Sequence, residues 1–428
     1  MSVKFRLIVM NSLQYGVWGA WLISLGAYLG GGLHYSGVEI GSFFATMGIA
    51  SLFMPALMGI IADRWVPAQK LLGVCHLIAA ALMMVAARQQ EYVWLYTSML
   101  ASVMFYMPTI SLSNSVAYYS LEKAGLDTVR HFPPIRVWGT VGFICAMILV
   151  DLLGLARTAG QLYFSGAIGI VLGLYAFTLP HCPVNRAPEK KGWVDAMGLR
   201  AFTLFRERKM AIFFLFSMLL GVSLQITNAF ANDYLTNFFG ADPAYQGTFG
   251  VEHANILISL SQASETLCIL LIPFFLKRFG IKTVMLISMM AWVLRFGLLG
   301  AGNPGGGVWM LILSMIVYGV AFDFFNISGS LYVNQQTSST IRSSAQGVFM
   351  IMTNGFGAFF GSYAAGKVVD MVGWPDAWFV FAGYSLVVGV LFAVLFHPQK
   401  AQLRKVYGSH ITPQQPGFHV ERPEKLPD

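Results

Sequence analysis

One stretch of the chain, Val308-Trp-Met-Leu-Ile-Leu-Ser-Met-Ile-Val-Tyr-Gly-Val-Ala-Phe322, contains no charged residue and leads through Asp323 into Phe324-Phe-Asn-Ile327. The hydrocarbon core of a bilayer is about 30 Å thick, so a helix needs roughly 20 apolar residues to cross it. The stretch therefore predicts a membrane-spanning helix with a carboxyl group, that of Asp323, inside it. A charged side chain at that depth costs about 2.5–3.5 kcal/mol on insertion scales.

A second acidic residue, Glu265, lies in similar surroundings. Ile256-Leu-Ile-Ser-Leu-Ser-Gln262 precedes it, and Leu267-Cys-Ile-Leu-Leu-Ile272 follows it. Acidic residues inside a membrane bind a ligand, carry protons or pair with a base. Because the chain contains two such acids, Asp323 and Glu265, transport is the first hypothesis. The structural alternative is an ion pair with an arginine of another span, namely Arg136, Arg295 or Arg342.

The composition excludes a soluble protein of this size. Of the 428 residues, 56% are hydrophobic and only 11% are charged, whereas soluble domains carry about 25% charged residues. The net charge of +8 could suit nucleic acid, but the basic residues gather in alternate connections and near both ends. The other connections hold only Arg88, Arg157 and Lys367. This positive-inside pattern predicts a multi-pass membrane protein with both termini in the cytoplasm and no nucleic-acid partner.

Apolar runs of bilayer length occur twelve times. They lie at about 5–30, 38–62, 70–88, 92–120, 133–153, 161–180, 210–232, 252–276, 281–301, 307–333, 341–366 and 375–396. The first run follows a basic N-terminus, as in a signal peptide, but it lacks a small-x-small cleavage site and has the length of a span. We therefore predict an all-α membrane protein with twelve transmembrane helices.

The longest polar interruption, from His181 to Lys209, divides these runs into six and six. We interpret residues 181–209 as a cytoplasmic linker between an N-terminal six-helix bundle, 1–180, and a C-terminal six-helix bundle, 210–397. Residues 398–428 are polar and contain five prolines, which predicts a disordered cytoplasmic tail. Similar features at the start of spans 5 and 11, Ile135-Arg136 and Ile341-Arg342, indicate parallel repeats related by an axis along the membrane normal.

The sequence offers no pattern for a cofactor, a metal or an enzyme. The four cysteines form no close pair and no zinc spacing, and they are interpreted as small buried apolar residues. No nucleophile–base pair and no phosphate-binding loop is visible in the sequence either. We therefore expect neither cofactor nor metal, and no catalytic residues.

Polar and aromatic side chains recur at helical spacing in four of the predicted spans. Residues three or four positions apart share one face of a helix. These stripes are Arg136, Thr140 and Phe143 in span 5; Gln225 and Asn228 in span 7; Gln262 and Glu265 in span 8; and Tyr318 and Phe322, with Asp323 beside them, in span 10. Gln225, Glu265 and Asp323 fall near the midplane, where transporters hold their substrates between two repeats. Arg136 lies closer to the cytoplasmic end.

The chemistry of the stripes favours a neutral ligand with a planar part. Glutamine and asparagine amides match the edge of a heterocyclic base, and aromatic rings stack on its face. The two acids and Arg136 can bind sugar hydroxyls, and no cluster of lysines or arginines marks a phosphate site. The residues alone leave open a nucleoside or nucleobase, a sugar or glycoside, and a membrane sensor that binds without transport. Gln225 and Asn228 could instead join helices by hydrogen bonds.

Longer motifs carry a specific resemblance. Gly59-Ile-Ile-Ala-Asp63-Arg64 resembles the loop signature of the major facilitator superfamily, although Trp65-Val-Pro67 replaces the usual glycine and basic run. Three further segments resemble the bacterial nucleoside:proton symporters, and within them the nucleoside permease and xanthosine permease group. They are Phe132-Pro-Pro-Ile-Arg-Val-Trp-Gly-Thr-Val-Gly-Phe143, Leu224-Gln-Ile-Thr-Asn228 and Met315-Ile-Val-Tyr-Gly-Val-Ala-Phe-Asp-Phe-Phe-Asn-Ile-Ser-Gly329.

The resemblance covers nearly the whole chain, with departures in the linker, the tail and the outer loop from Asp233 to Gly250. It implies the major facilitator fold, the bacterial inner membrane, and proton-driven nucleoside uptake by alternating access. The implied partners are nucleosides, protons and the lipid bilayer, and a monomer is expected. Carried over position by position, the substrate-binding set is Arg136, Thr140, Phe143, Gln225, Asn228, Gln262, Glu265, Tyr318, Phe322 and Asp323. Asp323 and Glu265 are the candidates for proton coupling.

Overall fold

The computed structural model describes residues 2–184, 199–337 and 342–397, and every regular element within these ranges is helical. Residues 185–198 of the predicted linker and the whole predicted tail, 398–428, lie outside the described residues. Helices are the expected elements for apolar runs of this length, because a helix satisfies its backbone hydrogen bonds internally where lipid offers no partner.

The helices follow the predicted runs closely. In the N-terminal half they are α1 (Val3–Gly19), α2 (Gly37–Arg64), α3 (Ala68–Ala86), α4 (Tyr92–Lys123), α5 (Thr128–Leu152) and α6 (Gly160–Ala176). In the C-terminal half they are α7 (Arg208–Asp233), α8 (254–279), α9 (281–301), α10 (Val308–Gln336), α11 (342–372) and α12 (Asp376–Leu395). α8 and α9 meet at Gly280, whose φ of 76° and ψ of 167° are not helical. α11 includes a π-helical stretch, Ile351–Gly357.

The number of spans agrees with the prediction. Nine helical segments in the described ranges are long and apolar enough to cross a membrane when 254–301 counts as one. Dividing that segment at Gly280 gives ten, and the shorter helices α1 and α6 complete the twelve. α1 is more polar than the others, but it packs between α5 and α6 inside the first bundle. The prediction of an all-α membrane protein is confirmed.

The helices pack as six and six. In the first group α1 contacts α5 and α6, α3 contacts α4 and α6, and α2 contacts α4. In the second group the α8–α9 segment contacts α10 and α12, and α7 contacts α11 and α12. The two groups meet where α2 contacts α11 and where α5 contacts the α8–α9 segment. We therefore propose the domain division 1–180 and 210–397.

The first predicted span, 5–30, is wrong as one continuous helix. α1 ends at Gly19, and a turn leads to a short helix, Leu25–Ala27, and a π-helical stretch, Tyr28–Gly32. The short helix contacts α7 of the other bundle, and a Cβ atom on Gly26 would lie only 2.1 Å from the Ala229 carbonyl oxygen. The break thus allows the backbone of the first bundle to touch the second, which an apolar pattern does not reveal.

The N-terminal end of α2 is held by both bundles. Ser36 and Glu39 form a capping box that starts the helix. In addition, the Asp370 carboxylate of α11 accepts hydrogen bonds from the backbone N–H of Gly37 at 2.6 Å and of Val38 at 2.9 Å. Acidic side chains are favourable at a helix N-terminus. The predicted outer ends of α2 and α11 are therefore joined.

Glycines allow the backbones of α2 and α11 to touch each other. A Cβ atom on Gly41 would lie 2.1 Å from the Ser362 carbonyl oxygen, and one on Gly366 would lie 2.1 Å from the Gly37 carbonyl oxygen. Real Cβ atoms do not approach so closely, so any larger residue must push the helices apart. Gly59, on the same helix α2, has no atom within 4 Å of such a Cβ position.

We expect Gly41→Ala to separate the outer ends of α2 and α11, whereas Gly59→Ala leaves them unchanged. Overpacking costs about 1–3 kcal/mol, which is enough to shift a balance between closed and open arrangements about tenfold. Electron–electron distance measurements between spin labels at the exposed positions His34 and Lys367, in a background without Cys145, should show a longer distance in Gly41→Ala only. Identical distributions in both variants and the parent would contradict the proposed role of Gly41.

Candidate functional site

Five of the ten predicted site residues form one cluster between α5, α8 and α10. Asp323 and Glu265 interact electrostatically with each other, and both interact with Tyr318. Gln262 lies within hydrogen-bonding reach of the Tyr318 hydroxyl. Arg136 of the first bundle reaches Glu265 of the second. The cluster therefore spans the interface between the two six-helix groups.

Asp323 has no basic partner in the described part of the chain. The side chain is 2% exposed, and its Oδ2 atom has no hydrogen-bond partner there. Its electrostatic neighbours are Glu265, Tyr318 and Cys268. A buried charge without a partner is expensive, so this carboxyl group is available to a proton or to a ligand.

The proposed ion-pair alternative is not observed for the arginines whose side chains are described. Arg136 interacts electrostatically with Glu265 without forming an ion pair, and its guanidinium lies over the Tyr15 ring. Arg295 is fully buried and contacts Tyr318 and a carbonyl rather than an acid. The side chain of Arg342 lies outside the described residues.

Aromatic rings form one wall of the cluster. Tyr318 and Phe322 stack with their centroids 5.9 Å apart and their planes 12° apart. Trp292 of α9 meets the Tyr318 ring edge-on at 6.0 Å. Offset stacking of this kind leaves a flat aromatic surface on which a planar ring can lie.

The two predicted site amides of α7, Gln225 and Asn228, form no hydrogen bond between helices within the described residues, whereas Asn232 of the same helix donates to Asn255. Gln225 is 6% exposed, and its Oε1 atom has no partner among the described residues. Asn228 is half-buried, and no hydrogen bond of its side chain is found in the described ranges. Uncommitted amides beside a membrane-embedded cluster can serve a ligand, because each offers donors and acceptors.

The other predicted residues make no direct interaction with the two acids, and only Thr140 and Phe143 share a helix with a member of the cluster. Thr140 and Phe143 lie on the face of α5 that carries Arg136, and Phe143 is 7% exposed. Within the described residues, neither a hydrogen bond nor an electrostatic interaction connects Thr140, Phe143, Gln225 or Asn228 to the two acids. A ligand between the bundles would be the element that brings these residues together with the acids.

Tyr15 of α1 is a member of the cluster that the stripes did not include. The Arg136 guanidinium lies 3.8 Å from the centroid of its ring, and Tyr15 also interacts electrostatically with Glu265. Gly139 leaves the space for this stack, since a Cβ atom there would be 2.6 Å from the Tyr15 ring. The signal was present in the sequence, where Gln14-Tyr15 places two polar groups together inside a predicted span.

A buried polar network supports α1 behind Tyr15. The Gln14 side chain donates to Thr109 Oγ1 at 2.7 Å, and its Oε1 atom lies 2.7 Å from His76 Nε2. The Tyr106 hydroxyl donates to the Gln14 carbonyl oxygen at 2.8 Å. These bonds fix α1 against α3 and α4, and they therefore fix the ring on which Arg136 rests.

Comparisons with known proteins agree with the geometry. The sequence family described as nucleoside H⁺ symporter matches residues 1–401. The nucleoside permease NupG of Escherichia coli K12 is 48% identical over 403 residues, which are 92% of this chain and 96% of that protein. The xanthosine permease of the same organism is 49% identical over 417 residues, which are 95% of this chain and 100% of that protein. A crystal structure of the nucleoside transporter NupG has a TM-score of 0.88 at 47% identity and covers 93% of this chain and 100% of that one. The predicted family and fold are confirmed.

The stack of Arg136 on Tyr15 should matter for ligand affinity, with uridine as the test ligand. Tyr15→Leu removes the aromatic face, and a desolvated cation–π contact is worth up to about 2 kcal/mol, so we expect uridine binding to weaken roughly tenfold. Tyr15→Phe retains the face and should bind within about twofold of the parent. Isothermal titration of the purified proteins measures both values. Equal weakening in the two variants would assign the effect to the Tyr15 hydroxyl, and no weakening in Tyr15→Leu would refute the role.

Proposed function

The chain belongs to the nucleoside H⁺ symporter family, and from this premise we propose that it imports nucleosides together with protons by alternating access. It is a multi-pass membrane transporter and not an enzyme. The observation that carries the proposal is the pair of interacting acids, Glu265 and Asp323, at the interface between the bundles. We further propose the bacterial inner membrane as its location and a monomer as its state.

The two acids are the proposed proton carriers. Two carboxyl groups in one low-dielectric site repel each other when both are ionised, and a proton on either of them removes the repulsion. Asp323 has no base to neutralise it among the described residues, whereas Glu265 has Arg136 within electrostatic reach. This difference supports Asp323 as the group whose charge depends most on a proton from solution.

The nucleoside would lie between the acids, the amides and the aromatic wall. Gln225, Asn228 and Gln262 are proposed to read the edge of the base. The rings of Tyr318 and Phe322, whose planes lie 12° apart, and Phe143 on the other bundle are proposed to stack on the base or enclose it. Arg136 and Thr140 are proposed to orient the ribose.

Alternating access requires that the interface between the bundles opens on one side at a time. The Asp370 carboxylate and the glycine contacts join α2 to α11 at the predicted outer end. A second link across the same side runs from Asp151 of α5 to His253, which precedes α8, at 3.0 Å. These contacts support an arrangement closed toward the outside, from which a nucleoside would leave toward the cytoplasm.

We expect Asp323→Asn to fold and reach the membrane but to lose concentrative uptake. The amide preserves the shape of the carboxyl group but cannot carry a proton, so the coupling is lost while binding persists. Proteoliposomes with an imposed inward proton gradient should accumulate uridine with the parent protein and only equilibrate it, at an internal-to-external ratio near one, with Asp323→Asn. Glu122→Gln, which changes an exposed acid outside the cluster, serves as the control and should accumulate uridine normally.

The same assay separates the alternatives. If Asp323→Asn still accumulates uridine, Asp323 is not the coupling group. If the parent protein accumulates none of a panel containing uridine, adenosine and xanthosine, the proposed transport is wrong and a binding-only sensor is favoured. If free sugars rather than nucleosides compete with the labelled substrate, a sugar or glycoside symporter is favoured.

A further inference from the structure

Arg295 on α9 is the most unusual charged residue of the C-terminal bundle. Its side chain is 0% exposed, and within the described ranges no acidic residue pairs with it. The Nη1 group donates to the Ser314 carbonyl oxygen at 2.6 Å, while the Nε group has no partner. Its other polar neighbours, Ser261 Oγ at 3.5 Å and Met315 Sδ at 3.9 Å, are distant or weak acceptors.

The main partner of the cation is an aromatic ring. The centre of the Arg295 guanidinium lies 4.7 Å from the centroid of the Tyr318 ring. An arginine over an aromatic face is attracted by the ring quadrupole, and the attraction grows when water is excluded. Trp292, one turn earlier on α9, meets the same ring edge-on at 6.0 Å. α9 therefore holds Tyr318 through two of its side chains.

Stability alone does not account for a charge at this place. An apolar residue of similar volume usually replaces a buried charge at little or no cost in stability, and an ionisable residue inside a membrane points to function. The guanidinium contacts the ring that the proposed site uses, and that ring continues into the stack with Phe322 at 5.9 Å. The Arg295 guanidinium therefore lies on the α9 side of Tyr318, and the Tyr318 ring connects it to Phe322.

We propose that Arg295 is a positioning residue for nucleoside binding, which holds the Tyr318 ring and through it the Tyr318–Phe322 stack in the orientation that receives the base. The inference rests on the proposed function, because it assumes that Tyr318 touches the ligand. Within the described residues, Tyr318 is the only proposed site residue that Arg295 contacts. Its effect on affinity must therefore pass through Tyr318.

A double-mutant cycle tests this dependence. We expect Arg295→Met to weaken uridine binding about tenfold in the parent background, in keeping with a buried cation–π contact. In a Tyr318→Leu background the same substitution should change binding less than twofold, because the ring that it orients is absent. Arg295→Lys retains a cation and should restore most of the affinity. Titration calorimetry with uridine and thermal unfolding are measured on each protein.

Ser314→Ala is the matched control. The Ser314 hydroxyl donates to the Arg295 carbonyl oxygen at 3.1 Å, so it joins α9 to α10 without touching the ring. If Arg295 acts only by locking the two helices together, Ser314→Ala and Arg295→Met should lower the unfolding temperature and the affinity in parallel, in both backgrounds. We expect Ser314→Ala to leave uridine affinity within about twofold of the parent, since loss of one neutral hydrogen bond is a small effect.

The outcomes separate this inference from the proposed function. If Tyr318→Leu leaves uridine binding unchanged, Tyr318 is not part of the site, and the proposed placement of the nucleoside is wrong. If Tyr318→Leu weakens binding but Arg295→Met does not, the site stands and the positioning role of Arg295 is overturned. Equal losses from Arg295→Met with and without the Tyr318 ring would also overturn it.

Discussion

A carboxyl group in the middle of a membrane protein without a base beside it constrains everything around it. Asp323 is nearly inaccessible and has no hydrogen-bond partner for one of its oxygens in the described part of the chain. Its nearest charged neighbour is a second acid, Glu265. Such a pair is tolerated only if something neutralises it for part of the time. We therefore propose that the interface between the bundles admits a proton and a ligand, and the uncommitted amide oxygen of Gln225 supports this proposal.

The arginines near this interface are held by tyrosine rings rather than by acids. Arg136 of the first bundle rests on Tyr15 at 3.8 Å, and Arg295 of the second rests on Tyr318 at 4.7 Å. A ring quadrupole attracts a cation without cancelling its charge as a carboxylate would. The arrangement keeps two positive charges inside the protein. Among the described residues it leaves Asp323 without a basic partner, and it leaves Glu265 near Arg136 without an ion pair. A direct ion pair would favour the ionised form of the acids, which would oppose their proposed role as proton carriers.

Much of the fold could be predicted from the sequence, because a bilayer imposes a length on each apolar run. Each of the twelve apolar runs contains a helix. Tyr318 and Asp323 share the cluster between the two bundles, as their helical spacing predicted. The break after Gly19 was missed, since it depends on contact between Gly26 and the Ala229 carbonyl of a distant helix. Hydropathy reports the length of a buried segment but not which backbone it touches.

The sequence predicted the site less completely than the fold, because a site depends on contacts between helices. Spacing along one helix shows which residues share a face, but it does not show which face of another helix they meet. The predicted stripes do not include Tyr15, which carries no charge, although Gln14-Tyr15 places two polar groups together inside a predicted span. The sequence offered Arg295 as a possible ion-pair partner of the acids, yet its partner is a ring on α10. Cation–π contacts leave no complementary charge in the sequence, so only the packed structure reveals them.

The two bundles contact each other through backbone packing at the outer end and through charged side chains at the centre. We propose that the outer contacts open during transport, while the central contacts hold the ligand. At the outer end α2 and α11 approach through glycines and carbonyl oxygens, where small residues allow close backbone contact. Such contact contributes mainly van der Waals attraction, which is lost over a short separation and leaves no charge unpaired. Several polar links join the bundles on the same side. Asp370 and the Asp151–His253 pair are two of them, and Arg157 and Asn237 add hydrogen bonds to the Val251 and Ala27 carbonyl oxygens. The two interacting acids, Glu265 and Asp323, lie near the predicted midplane instead, and we propose that the bundles pivot there around the ligand. At the outer end the bundles are joined by packing and by single hydrogen bonds, which can break without leaving a carboxylate buried in the centre. We therefore propose that this end opens while the ligand and the proton stay bound at the centre.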